Sequence, residues 1–161
     1  MSKKYELVVD DTITFWGWKL FRIRALISFG SVDAGDLGGY IYTEDNLSQK
    51  GDAWVSGNAK VWGNAKVSGD AWVSGNAEVS GNAEVLGDAK VSDFEDVIVF
   101  KNHWSSGRHF TYTKSNKMWR VGCFYGTGQE LIDKAYRDSE KSGNFYKAYV
   151  EFIASLEGLG E

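Results

Sequence analysis

Between residues 97 and 129 the chain carries no aspartate or glutamate, yet it holds Lys101, Arg108, Lys114, Lys117, Arg120, His103 and His109. Phe100, Trp104, Phe110, Tyr112, Trp119, Phe124 and Tyr125 are interleaved with these cations. Guanidinium groups offer paired donors to phosphate or carboxylate, and aromatic faces stack on planar rings, so the mixture fits a small anionic ligand that contains a ring. In 108–114 strict alternation puts Arg108, Phe110, Tyr112 and Lys114 on one face of a strand and His109, Thr111 and Thr113 on the other. The first face reads either as a ligand contact or as ordinary packing with a solvated edge. Candidate ligand contacts are therefore Arg108, His109, Tyr112, Lys114, Trp119 and Arg120, with Ser106 as a small donor beside Arg108. Thr127 joins them because the backbone of Gly126-Thr127-Gly128 presents N–H groups at a helix start. That turn lacks the spacing and the lysine of a phosphate-binding P-loop. Cys123 stands in an apolar, strand-like context beside Phe124 and reads as a buried, inert thiol.

Several elements must position these groups. Residues 108–114 and 118–125 read as strands, and Thr127-Gly128-Gln129-Glu130 is a capping box that opens a helix over 128–141. Leu131, Ile132, Ala135 and Tyr136 form its buried stripe. After Ser142-Gly143 a second helix is expected to bury Phe145, Tyr149, Phe152, Ile153 and Leu156 and to end at Gly158 or Gly160. At the other end, 5–9, 12–16 and 18–27 read as strands punctuated by Asp10-Asp11 and Gly17. In the third, Phe21, Ile23, Ala25 and Ile27 share a face opposite Arg22 and Arg24.

Residues 51–92 are seven uninterrupted hexapeptides, from GDAWVS to GDAKVS, whose third and fifth residues are always Ala and Val. Each hexad is a short strand that points in, out and in, and its Gly with the following Asn or Asp supplies a corner. Three hexads make an 18-residue layer, so residues 18 apart stack. One outer face carries Trp54, Trp72 and Lys90, the second Lys60 over Glu78, the third Lys66 over Glu84. Trp54 and Trp72, with Trp62 at a corner, read as an oligomer interface, a surface covered by the terminal segments, or a stacking platform. Asp52, Asp70 and Asp88 align in one corner column, where they either cap turns or hold a hard cation. The turn-capping reading leaves the chain with no expected metal.

Val55-Ser56-Gly57-Asn58-Ala59-Lys60 and its successors resemble the hexapeptide repeat of left-handed β-helices. Arg24-Ala25-Leu26, 35–39 and 118–128 look like segments of hexapeptide-repeat proteins of bacteriophages and prophages, often labelled hypothetical, transferase-like or polymer-forming. The resemblance implies a mainly β fold: an N-terminal β cap over 1–38, a left-handed parallel β-helix of about three coils over 39–92, and a C-terminal α/β tail with two helices over 93–161. Gly39-Tyr40-Ile41 and Asp45-Asn46-Leu47 begin the period, with Ile41 and Leu47 in the alanine phase. It further implies a homotrimer, and some phage proteins of similar build counter bacterial immunity by sequestering nucleotide signals or by blocking effectors. The best-known enzymes of that fold are coenzyme A-dependent acyltransferases with a histidine base. Here the hexads hold no histidine, and acyltransfer would fall to His103 or His109.

Length and charge bound these readings. The chain has 161 residues, 25% charged and 43% hydrophobic, with no proline, which excludes a disordered or collagen-like chain. A net charge of −4 argues against a general nucleic-acid binder, so any anion site is local. No apolar run is long enough to span a membrane, and Met1-Ser2-Lys3-Lys4-Tyr5-Glu6 leads into alternating residues rather than a signal core. One cysteine makes no internal disulfide, in keeping with a reducing compartment. The reading is a non-catalytic oligomeric protein of the host bacterial cytosol that needs no cofactor. It sequesters a small nucleotide-like anion, or alternatively blocks a host defence protein, and binds neither membrane nor a specific nucleic-acid sequence.

Overall fold

The computed structural model describes residues 3–159, so the start at Met1-Ser2 and a helix end at Gly160 lie outside the described residues. Strands β1 (Tyr5–Phe15) and β2 (Trp18–Ala25) form an antiparallel hairpin, followed by β3 (Leu37–Ile41). Each hexad then contributes two strand residues: β4 (Trp54–Val55), β5 (Lys60–Val61), β6 (Lys66–Val67), β7 (Trp72–Val73), β8 (Glu78–Val79), β9 (Glu84–Val85) and β10 (Lys90–Val91). Beyond them lie β11 (Val97–Lys101), β12 (His109–Thr113), β13 (Met118–Val121) and β14 (Phe124–Thr127), then α1 (Gly128–Asp138) and α2 (Glu140–Leu159).

The fold is not the single left-handed parallel β-helix that the hexads suggest. Its strands divide among four sheets ordered β1-β2-β3-β5-β8, β10-β7-β4, β11-β12-β13-β14 and β6-β9. The first is mixed and the β11–β14 sheet is wholly antiparallel, so the molecule is mainly β with many short strands and two C-terminal helices. The physical reason lies in the corners and the flanks. Gly57, Gly63, Gly69, Gly75, Gly81 and Gly87 all have φ between 61° and 65°, which breaks extended backbone every six residues and leaves two-residue strands that pair in separate ladders. The longer flanking strands carry hairpin turns and pair antiparallel.

Within the hexads the 18-residue stacking is present: Trp54 pairs with Trp72, Trp72 with Lys90, Lys60 with Glu78, and Lys66 with Glu84, all parallel. Every hexad Ala and Val is buried, and together they form one core with Tyr5, Ile23, Ile41 and Leu47. The period does not extend backward unchanged. Ile41 pairs with Val61 and Leu47 bridges Val67, a 20-residue offset that puts both in the valine phase rather than the alanine phase. Asn46 accommodates the two extra residues by donating from Nδ2 to the carbonyls of Ala65 (2.8 Å) and Gly63 (3.2 Å).

The flanks also differ from their sequence readings. Asp10-Asp11 is no turn but a bulge inside β1, where the register slips between Val8 and Thr12 and Asp11 meets Arg22 at 3.0 Å. Leu20, Ile23 and Ala25 are the buried residues of β2, while Ile27 is exposed. Lys4, only 2% exposed, is pinned over the first corner. Its ammonium donates to the carbonyls of Ala53 (2.6 Å) and Gly51 (3.3 Å) and sits 4.8 Å from the Phe29 ring centre. Burial lowers it to about 8, against the opposing pull of Asp52 and Asp70.

In the C-terminal unit Phe110, Tyr112, Trp119, Leu131, Ala135, Tyr146 and Ile153 form a second core between the β11–β14 sheet and the two helices. Residues 118–125 are a hairpin rather than one strand, since Gly122 turns at φ 56°. Cys123 is therefore exposed at the turn, not buried. The capping box forms as read: the Glu130 N–H donates to Thr127 Oγ1 (3.2 Å) and the Thr127 N–H donates to Glu130 Oε1 (2.9 Å). Those bonds hold the Glu130 carboxyl below its ordinary range. The second helix begins at Glu140, so Ser142 and Gly143 lie inside it. Gly143 is needed there, because a Cβ would come 2.1 Å from the Tyr136 ring. Tyr146 and Ile153 are buried from this helix, whereas Phe152 and Leu156 are exposed, as is Tyr136 of α1.

Candidate functional site

A single buried amide organises the loop between β11 and β12. Asn102, 4% exposed, donates from Nδ2 to the Tyr146 hydroxyl (2.9 Å), and its Oδ1 accepts from the N–H groups of Ser105 (2.9 Å) and Trp104 (3.2 Å). Its backbone closes the same loop, with Asn102 N–H donating to Arg108 O (2.8 Å) and Gly107 N–H to Asn102 O (2.9 Å). Trp104 clamps the loop to α2 by stacking on Phe145 at 4.5 Å and donating from Nε1 to Ser142 Oγ (3.3 Å). Arg108 and Ser106 thus stand at fixed positions above the second core. Burial pushes the Tyr146 phenol upward, although the Asn102 bond works against it.

A cleft of about 210 Å³ opens between this loop, the start of β12 and helix α1. Its exposed lining includes Ser105, Ser106, Arg108 and His109, and its buried lining Phe110, Leu131 and Tyr146. Lys134 lines it from α1, but its ammonium is engaged by Asp138 at 2.7 Å. Among the described residues Arg108 makes no ion pair, so its guanidinium is the uncompensated charge at the cleft. The combination of a cation on an anchored backbone, small hydroxyls and an apolar wall suits an anion attached to a ring.

Of the candidate ligand contacts, Ser106, Arg108 and His109 line this cleft and Tyr112, Lys114, Trp119, Arg120 and Thr127 do not. Phe110 and Tyr112, the rings of the alternating face, are 1% and 3% exposed and belong to the core, as does Trp119. The Tyr112 hydroxyl is bonded to Glu157, which also holds Lys117 at 2.6 Å. Burial raises the Tyr112 phenol well above the tyrosine range. Glu157 is itself partly buried, which works upward, but the bonds from Lys117 and Tyr112 prevail and hold its carboxyl below the ordinary value. Lys114 lines a separate surface hollow with Tyr112 and Glu157. Arg120 points the other way, toward Glu84 at 3.7 Å, and its buried Nε has no hydrogen-bond partner among the described residues. Thr127 is spent on the helix cap.

The tryptophan row is not an exposed face. Trp54 is 2% exposed beneath Tyr5 and Phe29, whose ring centres lie 6.3 and 5.3 Å away. Trp72 is half-buried against the same core, and Trp62 meets Phe15 edge-on at 5.3 Å. The stacked charges are likewise reassigned, since Lys60 donates to Asn58 O (3.1 Å) and lies over the Phe15 ring, and Glu84 takes Arg120. Asp52, Asp70 and Asp88 are exposed, and among the described residues no group of three or more His, Cys, Asp or Glu could hold a metal ion.

Asn102, Lys134 and Ser142 escaped the sequence reading. Asn102 alone carried a signal, as an isolated amide between an apolar strand and the turn-forming Ser105-Ser106-Gly107. Lys134 and Ser142 come to the cleft only through helix docking. No family model matches this sequence, and no curated protein is significantly similar to it. Among the described residues no helix is long and apolar enough to cross a membrane.

Proposed function

We propose that the protein is a non-catalytic binding protein that sequesters a small nucleotide-like anion in the cleft between β12 and α1. One observation carries this reading: Arg108, without an ion pair among the described residues and with its backbone held by the Asn102-centred loop, stands at a cleft walled by Phe110, Phe124 and Leu131. At about 210 Å³ the cleft is smaller than the roughly 300–1,000 Å³ of a drug-sized pocket, so it suits one ring with an attached anionic group rather than coenzyme A. In the setting implied by the sequence resemblance, that of a phage protein in the bacterial cytosol, such binding withdraws a nucleotide signal from host defence, and a homotrimer multiplies the sites. Calorimetric titration with cyclic and ADP-ribose-type nucleotides tests it. Binding to one of them, weakened about tenfold or more in Arg108→Ala, is expected from the loss of a charge-assisted hydrogen bond. No heat of binding across the panel overturns the reading.

A second reading, a blocker of a host defence protein, is favoured by Trp16. This residue is 80% exposed at the β1–β2 turn and adopts φ 52°, a conformation that costs a bulky side chain energy. A Trp16→Ser variant that keeps nucleotide binding but no longer inhibits a defence effector would establish it.

A further inference from the structure

We propose that the binding site continues from the cleft onto the β6/β9 face of the hexads and takes a two-part anion, whose second charged group rests on Lys66. This inference rests on the cleft reading and deepens it. A groove of about 480 Å³ is lined by Asn64, Lys66, Asn82, Glu84, Arg108 and His109. Arg108 and His109 therefore belong to both hollows, and a ligand held by them in the cleft has the groove beside it.

The groove is chemically disposed toward an anion. Its corner column is the neutral pair Asn64 and Asn82, whereas the aspartate column of Asp52, Asp70 and Asp88 stands at a different corner. Asn64 Nδ2 reaches Asn82 Oδ1 at 3.5 Å, and Asn82 Nδ2 lies 3.0 Å from His109 Nδ1, so a line of amides leads from the groove to the imidazole. The lone carboxylate of the lining, Glu84, is paired with Arg120 from β13. Among the described residues Lys66 has no carboxylate within ion-pair distance, and neither has Arg108. Two cations without an ion pair among the described residues, with the amides of Asn64 and Asn82 in the same lining, match two linked anionic groups such as the phosphates of a dinucleotide or of a diphosphate-linked nucleotide.

The ligand class is accordingly a dinucleotide or a diphosphate-linked nucleotide rather than a nucleoside monophosphate. Parent protein, Lys66→Ala and Lys134→Ala are titrated calorimetrically with AMP, ADP-ribose and a cyclic dinucleotide. Lys66 is exposed on a two-residue strand, and unchanged circular dichroism verifies that its replacement leaves the fold intact. The expected result is that a two-part ligand binds the parent at least tenfold more tightly than AMP, and that Lys66→Ala removes this advantage without altering AMP binding. Lys134→Ala, which leaves the Asp138 carboxylate unpaired at the cleft, then weakens both ligands alike. If Lys66→Ala leaves the two-part ligand unaffected, or weakens AMP equally, the extension is wrong while the cleft stands. If none of the three binds the parent, cleft and extension fall together.

Discussion

The two cores of this protein reach tight packing by opposite means. In the hexads the interior is built from the repeated alanines and valines, with Trp54 covered at one end, and valine pairs with valine one layer away. In the C-terminal unit the interior is a set of rings in unlike orientations: Phe100 on Phe110 at 29°, Trp104 against Tyr146 at 74°, Tyr112 on Trp119 at 45°. Repetition specifies the first core, and its buried polar groups, Lys4 and Asn46, come from outside the hexads and bond the carbonyls of its first layer. The second needs its rings fixed, and the fixing is polar: Asn102 to Tyr146, Trp104 to Ser142, Tyr112 to Glu157. Polar pins that hold rings also leave a hollow edged with donors, which is why the cleft occurs in the aromatic core.

The largest expected effect comes from Val73→Asp at the centre of the hexads. A carboxylate with no partner replaces a side chain that is 0% exposed, and burial of an unpaired charge exceeds the stability of a domain this size, so no cooperative thermal transition should remain by circular dichroism. A melt within a few degrees of the parent would mean that the hexads are not a closely packed core. Trp119→Ala should cost about 3–5 kcal/mol by chemical denaturation while leaving a folded protein. A loss under 1 kcal/mol would show the aromatic core to be loosely fitted.

The next effect is a pH dependence that originates at the hexad end. Folded Lys4 gives up its proton near pH 8 and the unfolded chain near 10.5, so between these values the unfolded state binds the extra proton and stability rises with pH, by about 3 kcal/mol. From about pH 10 the trend reverses. Burial raises the Tyr5 and Tyr112 phenols, so the unfolded chain loses those protons first and stability falls as pH increases. Denaturation curves from pH 7 to 11 should show the rise and then the fall, and Lys4→Met should erase only the rise. The smallest effect is Thr127→Ala, which removes the helix cap and should cost about 1 kcal/mol, measured as a lower denaturation midpoint.

Legibility in the sequence follows the same division. The in-out-in order of each hexad, the stacking of Trp54 on Trp72, and the Thr127–Glu130 cap were all readable, because each depends on residues at fixed short spacing. The overall architecture was not, since the way two-residue strands divide into ladders and join antiparallel hairpins is settled by corners and long-range pairing. Of the face read as Arg108, Phe110, Tyr112 and Lys114, only the two rings lie within β12, with Arg108 and Lys114 just beyond its ends, and nothing local tells whether rings face a ligand or a helix. Docking of α1 and α2 decides that, burying Phe110 and Tyr112 while Arg108 stays outside. The hairpin at Gly122-Cys123 was legible in principle, since glycine opening a two-residue link is a turn signal.

The 18-residue register has a consequence for how such a chain can change length. Adding three hexads at once would insert a full layer, return every face to its place, and lengthen the Asn64–Asn82 column by one amide. Adding one hexad would instead turn the C-terminal sheet to the next face, carrying His109 away from Asn82 and Arg120 away from Glu84. Length in this molecule is thus quantised: whole layers tune the reach of the groove, and fractions of a layer dismantle it.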